Sequence, residues 1–132
     1  MSNFQHIIDA ADRLTDSMKN MDAIFNTDDI LLVQTDGKGK FVRASKGWTA
    51  LLGWSEEELC SKPWIEFVHP DDIQKTEDVF SGMKDGKPVG HFVNRYITNT
   101  GEYKSILWRA PSFKEEKSVF ATAVDVTDIL ED

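Results

Sequence analysis

The 132-residue chain has one cysteine, Cys60, so no disulfide can form within it. A lone thiol suits a reducing compartment, and a cytoplasmic location is expected. Positive charge is scarce: 15 Lys and Arg stand against 23 Asp and Glu, for a net charge of −8. No basic cluster interrupts this excess, so no nucleic-acid role and no contact with an anionic membrane surface is expected. No apolar run approaches the length of a membrane span. The opening MSNFQHIIDAADR is acidic and broken by polar residues, unlike a secretory signal. Internal repeats and low-complexity linkers are absent. So are the G-x-S-x-G and H-E-x-x-H words and a glycine-rich phosphate loop, and no catalytic activity is expected of this chain.

What is present suffices for one soluble domain. The apolar share is 40% and the charged share 29%, ordinary for a globular chain. A chain of this length buries roughly 68% of its unfolded surface, so it needs no metal to fold.

Phe4, Ile7, Ala11, Leu14, Met18, Met21 and Phe25 are spaced three and four apart, which predicts an amphipathic helix over residues 1–25. Its narrow seam has two readings: it lies on the domain's own sheet, or it pairs two subunits. ILLVQTDGKGKFVRAS predicts a hairpin turning at Asp36-Gly37-Lys38-Gly39. A short helix follows, with Ser45 as its expected cap and Gly53 as its left-handed end. Ser55 and Glu58 match a capping box for a second helix, limited by Pro63.

FVHPDD, residues 67–72, sets a histidine beside two carboxylates. Adjacent residues on a new helix point in diverging directions, so these side chains are not expected to converge on a metal. Pro70 fits a first helical turn, and Asp71 and Asp72 suit the positive end of a helix dipole. Ile73, Thr76, Val79, Phe80 and Met83 then share one face, and Asp85-Gly86 ends the helix. Three strands follow, over about 90–98, 102–112 and 118–126. Phe92, Asn94 and Tyr96 share a face of the first, and Ile106 and Trp108 a face of the second.

This order of elements, with these words in it, resembles the PAS sensor domain. GKFVRASKGWTALLGWSEEEL is similar to the family's second strand and first helices, and KPWIEFVHPDD to the approach to its long helix. FVNRYITNTGEYKSILWRA is similar to its central hairpin, and AVDVTD to its closing Asp-x-Thr signature. The resemblance runs from about Phe25 to Asp128. The chain departs from the family pattern at Asn99-Thr100-Gly101, Ser105 and Val124. The implied fold is α+β: a five-stranded antiparallel sheet with short helices across one face, preceded by the amphipathic helix. The implied division is an N-terminal dimerisation helix over 1–25, a PAS domain over 26–128, and the start of an exit helix or linker over 129–132.

The resemblance implies a non-catalytic sensory and dimerisation module of a signal-transduction protein. Its covalently linked output is expected to be a sensor histidine kinase, or alternatively a diguanylate cyclase. Asp125 and Thr127 would form the signal exit, and a homodimer would pair through Phe4, Ile7, Ala11, Leu14, Met18 and Met21. No cofactor is expected. Flavin-binding relatives use a cysteine that aligns near Trp64, not Cys60, and the polar residues that hold a flavin ring are missing. Haem-binding relatives take a histidine from the long helix, where residues 71–85 have none; His69 precedes it and His91 follows.

The candidate ligand pocket is the apolar interior between the sheet and the long helix. Phe67, Val79, Phe80, Met83, Phe92, Tyr96, Ile106, Trp108 and Phe120 are expected to line it, with Asn94 and Thr122 as orienting polar groups. The same residues suit a filled core, which would leave a protein-interaction domain without a ligand. A one-residue slip in a strand exchanges its two faces.

Overall fold

A computed structural model describes residues 5, 8–9, 23–26, 30–111 and 118–130. The seam residues Phe4, Ile7, Ala11, Leu14, Met18 and Met21 lie outside these, as do residues 112–117.

Strands β1 (Leu31–Asp36) and β2 (Phe41–Ala44) form the predicted hairpin. Asp36 organises its turn, because Oδ1 accepts from the N–H groups of Lys38 at 2.8 Å and Lys40 at 3.0 Å. Gly39 takes a φ of 93°, which suits glycine alone at little strain.

Helix α1 (Lys46–Leu52) ends at Gly53 in the left-handed conformation, as expected. Ser45 does not cap α1 with its side chain. Its hydroxyl instead donates to the Ile30 carbonyl at 2.5 Å and accepts from the Leu32 N–H at 2.9 Å. Leu32 lies beyond the last β1–β2 pair, Val33 with Ala44, so its N–H needs this partner. Helix α2 (Glu56–Cys60) begins with the reciprocal capping box of Ser55 and Glu58.

Two 3₁₀ turns, Trp64–Phe67 and Pro70–Asp72, lead into the long helix α3 (Ile73–Lys84). Strands β3 (Val89–Ile97), β4 (Tyr103–Ala110) and β5 (Ser118–Asp125) and a final turn of helix, α4 (Thr127–Leu130), complete the chain. The sheet is antiparallel in the order β2-β1-β5-β4-β3, so the central strand is the last in sequence. The core between its inner face and the helices is rich in aromatics. Trp48 stacks on Trp108 with centroids 5.2 Å apart, and Tyr96 lies 5.6 Å from Trp108.

The register of β5 corrects two expected pocket residues. Phe120 and Thr122 point to the outer face of the sheet and are exposed, whereas Val119 and Ala121 are buried. SVFATAVD has apolar residues on both alternations, so its period does not choose a face. Pairing with two neighbours does: Ala121 lies opposite Val33, and Ala123 opposite Trp108. The small alanines leave room for the aromatics beside them. Phe120 packs outside against Phe25, with ring centroids 6.2 Å apart.

Candidate functional site

A cavity of about 70 Å³ lies between the sheet and α3. Val33, Thr35, Phe41, Phe92, Asn94, Tyr96, Trp108, Ala110 and Ala121 wall it from the sheet. Thr76, Val79, Phe80 and Met83 of α3 roof it, and Trp64 and Val89 close its sides. The roof follows from the spacing of its residues: positions three and four apart in α3 meet the sheet together. Phe80 also packs edge-on against Trp64 at 5.1 Å.

Hydrogen bonds tie this roof to the sheet. Trp108 Nε1 donates to Asn94 Oδ1 at 2.7 Å, and Asn94 Nδ2 donates to Thr76 Oγ1 at 3.2 Å. Thr76 Oγ1 donates in turn to the Asp72 carbonyl at 2.7 Å. Both ends of the Asn94 amide are thereby used within the protein. Thr35 is likewise engaged, donating to the Lys40 carbonyl at 3.1 Å.

Asp72 anchors the start of α3 to β3. Its buried carboxylate pairs with Arg95, which holds it well below its usual range, at about 2; burial opposes this shift and Lys75 at 3.5 Å assists it. His69 supplies the preceding cap. Its Nδ1 accepts from the Asp71 N–H at 3.0 Å, its backbone N–H donates to the Arg95 carbonyl at 2.8 Å, and its ring lies 4.6 Å from Tyr103. The His69 ring and the Asp72 carboxylate thus turn to different partners, and no group of three or more metal-ligating side chains occurs among the described residues. Cys60 is half-buried, and burial, with Glu56 nearby, pushes its thiol up, away from the reactive thiolate.

At the far end of the sheet, Asp125 Oδ1 accepts from the Thr127 N–H at 3.1 Å and from its hydroxyl at 2.5 Å. The same hydroxyl accepts from the Ser105 N–H at 2.9 Å, and the Val126 N–H donates to the Ser105 carbonyl at 2.9 Å. This clamp binds the exit of β5 to the middle of β4.

A model of the family described as PAS fold matches residues 41–123. The chain belongs to this family. Solved structures agree on the fold. A domain of the sensory box sensor histidine kinase/response regulator from Geobacter sulfurreducens superposes with a TM-score of 0.70 at 13% identity, covering 85% of this chain and 96% of that one. The N-terminal domain of a diguanylate cyclase with PAS/PAC sensor from Marinobacter aquaeolei gives 0.65 at 15%, covering 76% and 97%. The RpfR quorum-sensing receptor PAS domain from Cronobacter turicensis, in complex with BDSF, gives 0.63 at 18%, covering 75% and 95%. No curated protein matches. No described helix is long and apolar enough to cross a membrane.

Within this PAS domain the expected pocket residues divide three ways. Val79, Phe80, Met83, Phe92, Asn94, Tyr96 and Trp108 come together around the cavity. Phe67 and Ile106 do not line it; both are fully buried in the packed core beyond it, where Phe67 stacks parallel to Tyr96 at 6.5 Å. Phe120 and Thr122 face outward. Sequence reasoning missed Val33 and Thr35, although their spacing along β1 places them on one face, and Thr76, which it set on the correct helix face but did not assign to the pocket. Ala110 and Ala121 have no signal in sequence, because a small residue marks a cavity wall only once its opposite wall is known.

Proposed function

We propose that this PAS sensory domain binds a small molecule in the cavity beneath α3 and passes the change to an output domain joined to it. The supporting observation is the position of two residues on β4. Trp108 walls the cavity, and Ser105, three residues earlier, holds the Val126–Thr127 exit. A ligand that lifts α3 pulls on Asn94 and Trp108 through Thr76, and strand β4 carries that strain to the clamp. Only a ligand that prefers one of two arrangements shifts their populations.

In this reading the domain is cytoplasmic, catalyses nothing itself, uses neither flavin nor haem, and works as a homodimer paired through its N-terminal seam. The output is a sensor histidine kinase; a diguanylate cyclase is the alternative, and PAS-fold domains from proteins of both kinds superpose on this one. The test is a melting-shift screen of small molecules against the protein and against its Ala121→Ile variant, which fills the cavity. Compounds that stabilise the first and not the second support the proposal. A screen in which the two proteins respond alike overturns it. An absorption spectrum showing flavin or haem bands would overturn the cofactor-free reading.

A further inference from the structure

Three of the core's polar aromatics bond to the protein through their side chains, whereas Trp64 and Tyr96 do not among the described residues. The indole N–H groups of Trp48, Trp54 and Trp108 donate to Leu32, Ile97 and Asn94. Tyr96 is only 2% exposed, yet its hydroxyl makes no hydrogen bond among the described residues. Buried tyrosines ordinarily satisfy that group. Every side-chain nitrogen or oxygen fully sealed from open space does have a partner among the described residues. The Tyr96 oxygen is therefore not sealed, and Tyr96 is one of the residues that line the cavity. Burial pushes its phenol far above the ordinary range, so it stays a neutral O–H, able both to donate and to accept.

Of the other polar side chains on the walls, Thr35 is engaged with Lys40, and Thr76 and Asn94 within their own chain of bonds, which leaves the Trp64 indole N–H as a second wall group without a side-chain hydrogen bond among the described residues. Among the described residues, no charged side chain lines the cavity. A charged ligand would lose its hydration there without compensation. The cavity, about 70 Å³, is smaller than the roughly 150 Å³ of an engineered cavity that takes benzene. Met83, on its roof, is a side chain that repacks readily.

Building on the cavity as a ligand site, we propose that its ligand class is a neutral, mainly apolar molecule of about one small ring, whose hydroxyl or carbonyl pairs with the Tyr96 hydroxyl. The probes are phenol and toluene, which have nearly the same shape and differ in one hydroxyl. Dissociation constants are read from the methyl resonances of Met83 and Ala121 in the protein and in Tyr96→Phe. The expected result is a preference for phenol relative to toluene that falls about three- to tenfold in the variant, the worth of one hydrogen bond. Binding of both probes with an unchanged ratio overturns the Tyr96 pairing and leaves the ligand site standing. Failure of both probes to bind either protein overturns both. The variant also checks the premise. Removing an oxygen without a partner leaves the melting temperature equal or higher, whereas a fall of several degrees would mean that the hydroxyl has a protein partner, and would overturn the proposal.

Discussion

The Asp72 carboxylate accepts three hydrogen bonds from a single residue, Arg95: from its backbone N–H at 2.8 Å, from Nε at 2.9 Å and from Nη2 at 2.8 Å. One side chain thus fastens the start of α3 to β3 through both the backbone and the guanidinium of its partner. A bidentate, charge-assisted arrangement of this kind is stronger than a simple surface pair.

The pH dependence follows from this contact. Asp72 titrates at about 2 in the folded protein, below its ordinary value of 3.8. A depressed folded value means that the stabilisation is fully present above pH about 4 and is lost as pH falls towards 2. Arg95 is 40% exposed, so solvent weakens the pair, and Asp72→Asn is expected to cost about 1–2 kcal/mol at neutral pH. Urea unfolding of both proteins checks this: their difference should shrink steadily below pH about 4. A difference that grows on acidification would contradict the sign.

Thr127 is both donor and acceptor in the exit clamp. Thr127→Val removes the acceptor for the Ser105 N–H and the donor to Asp125, and should cost about 1–2 kcal/mol. Thr127→Ser keeps both bonds and should cost far less. Hydrogen exchange at the Ser105 amide separates the two variants: protection is lost in the first and retained in the second. Equal protection in both would mean that the hydroxyl does not hold β4.

The outward face of β5 makes an opposite prediction. Thr122→Ala should change stability by no more than about 0.5 kcal/mol and leave ligand response intact, because Thr122 is exposed. Phe120→Ser should loosen Phe25, which packs against it, and raise exchange over residues 23–26 while the core amides stay protected. Loss of core protection in Thr122→Ala would place that side chain inside.

The N-terminal seam is tested by removing residues 1–22, which spares the buried Phe25. Light scattering should report a dimer for the whole chain and a weakened dimer or monomer after truncation. A monomer in both cases would refute pairing through the seam.

Where a hydrogen bond closes within a few residues, the sequence alone determined the outcome. The Asp36 turn, the Ser55–Glu58 box, the left-handed Gly53 and the Pro70 helix start all depend on neighbours at most four positions away. The inner faces of β3 and β4 were read correctly too, with the aromatic rings of Phe92, Tyr96 and Trp108 on them. Tertiary structure decided what local pattern leaves open. Ser45 had a plausible capping role, but its hydroxyl serves β1, thirteen and fifteen residues back. Asp72 suited a helix dipole, yet its partner stands 23 residues ahead. The face of β5 was undetermined because both alternations are apolar, and only pairing with β1 and β4 chose one. Tyr96 shows the same division: its inward face was readable from its period, but a hydroxyl without a partner exists only once every surrounding side chain has been placed.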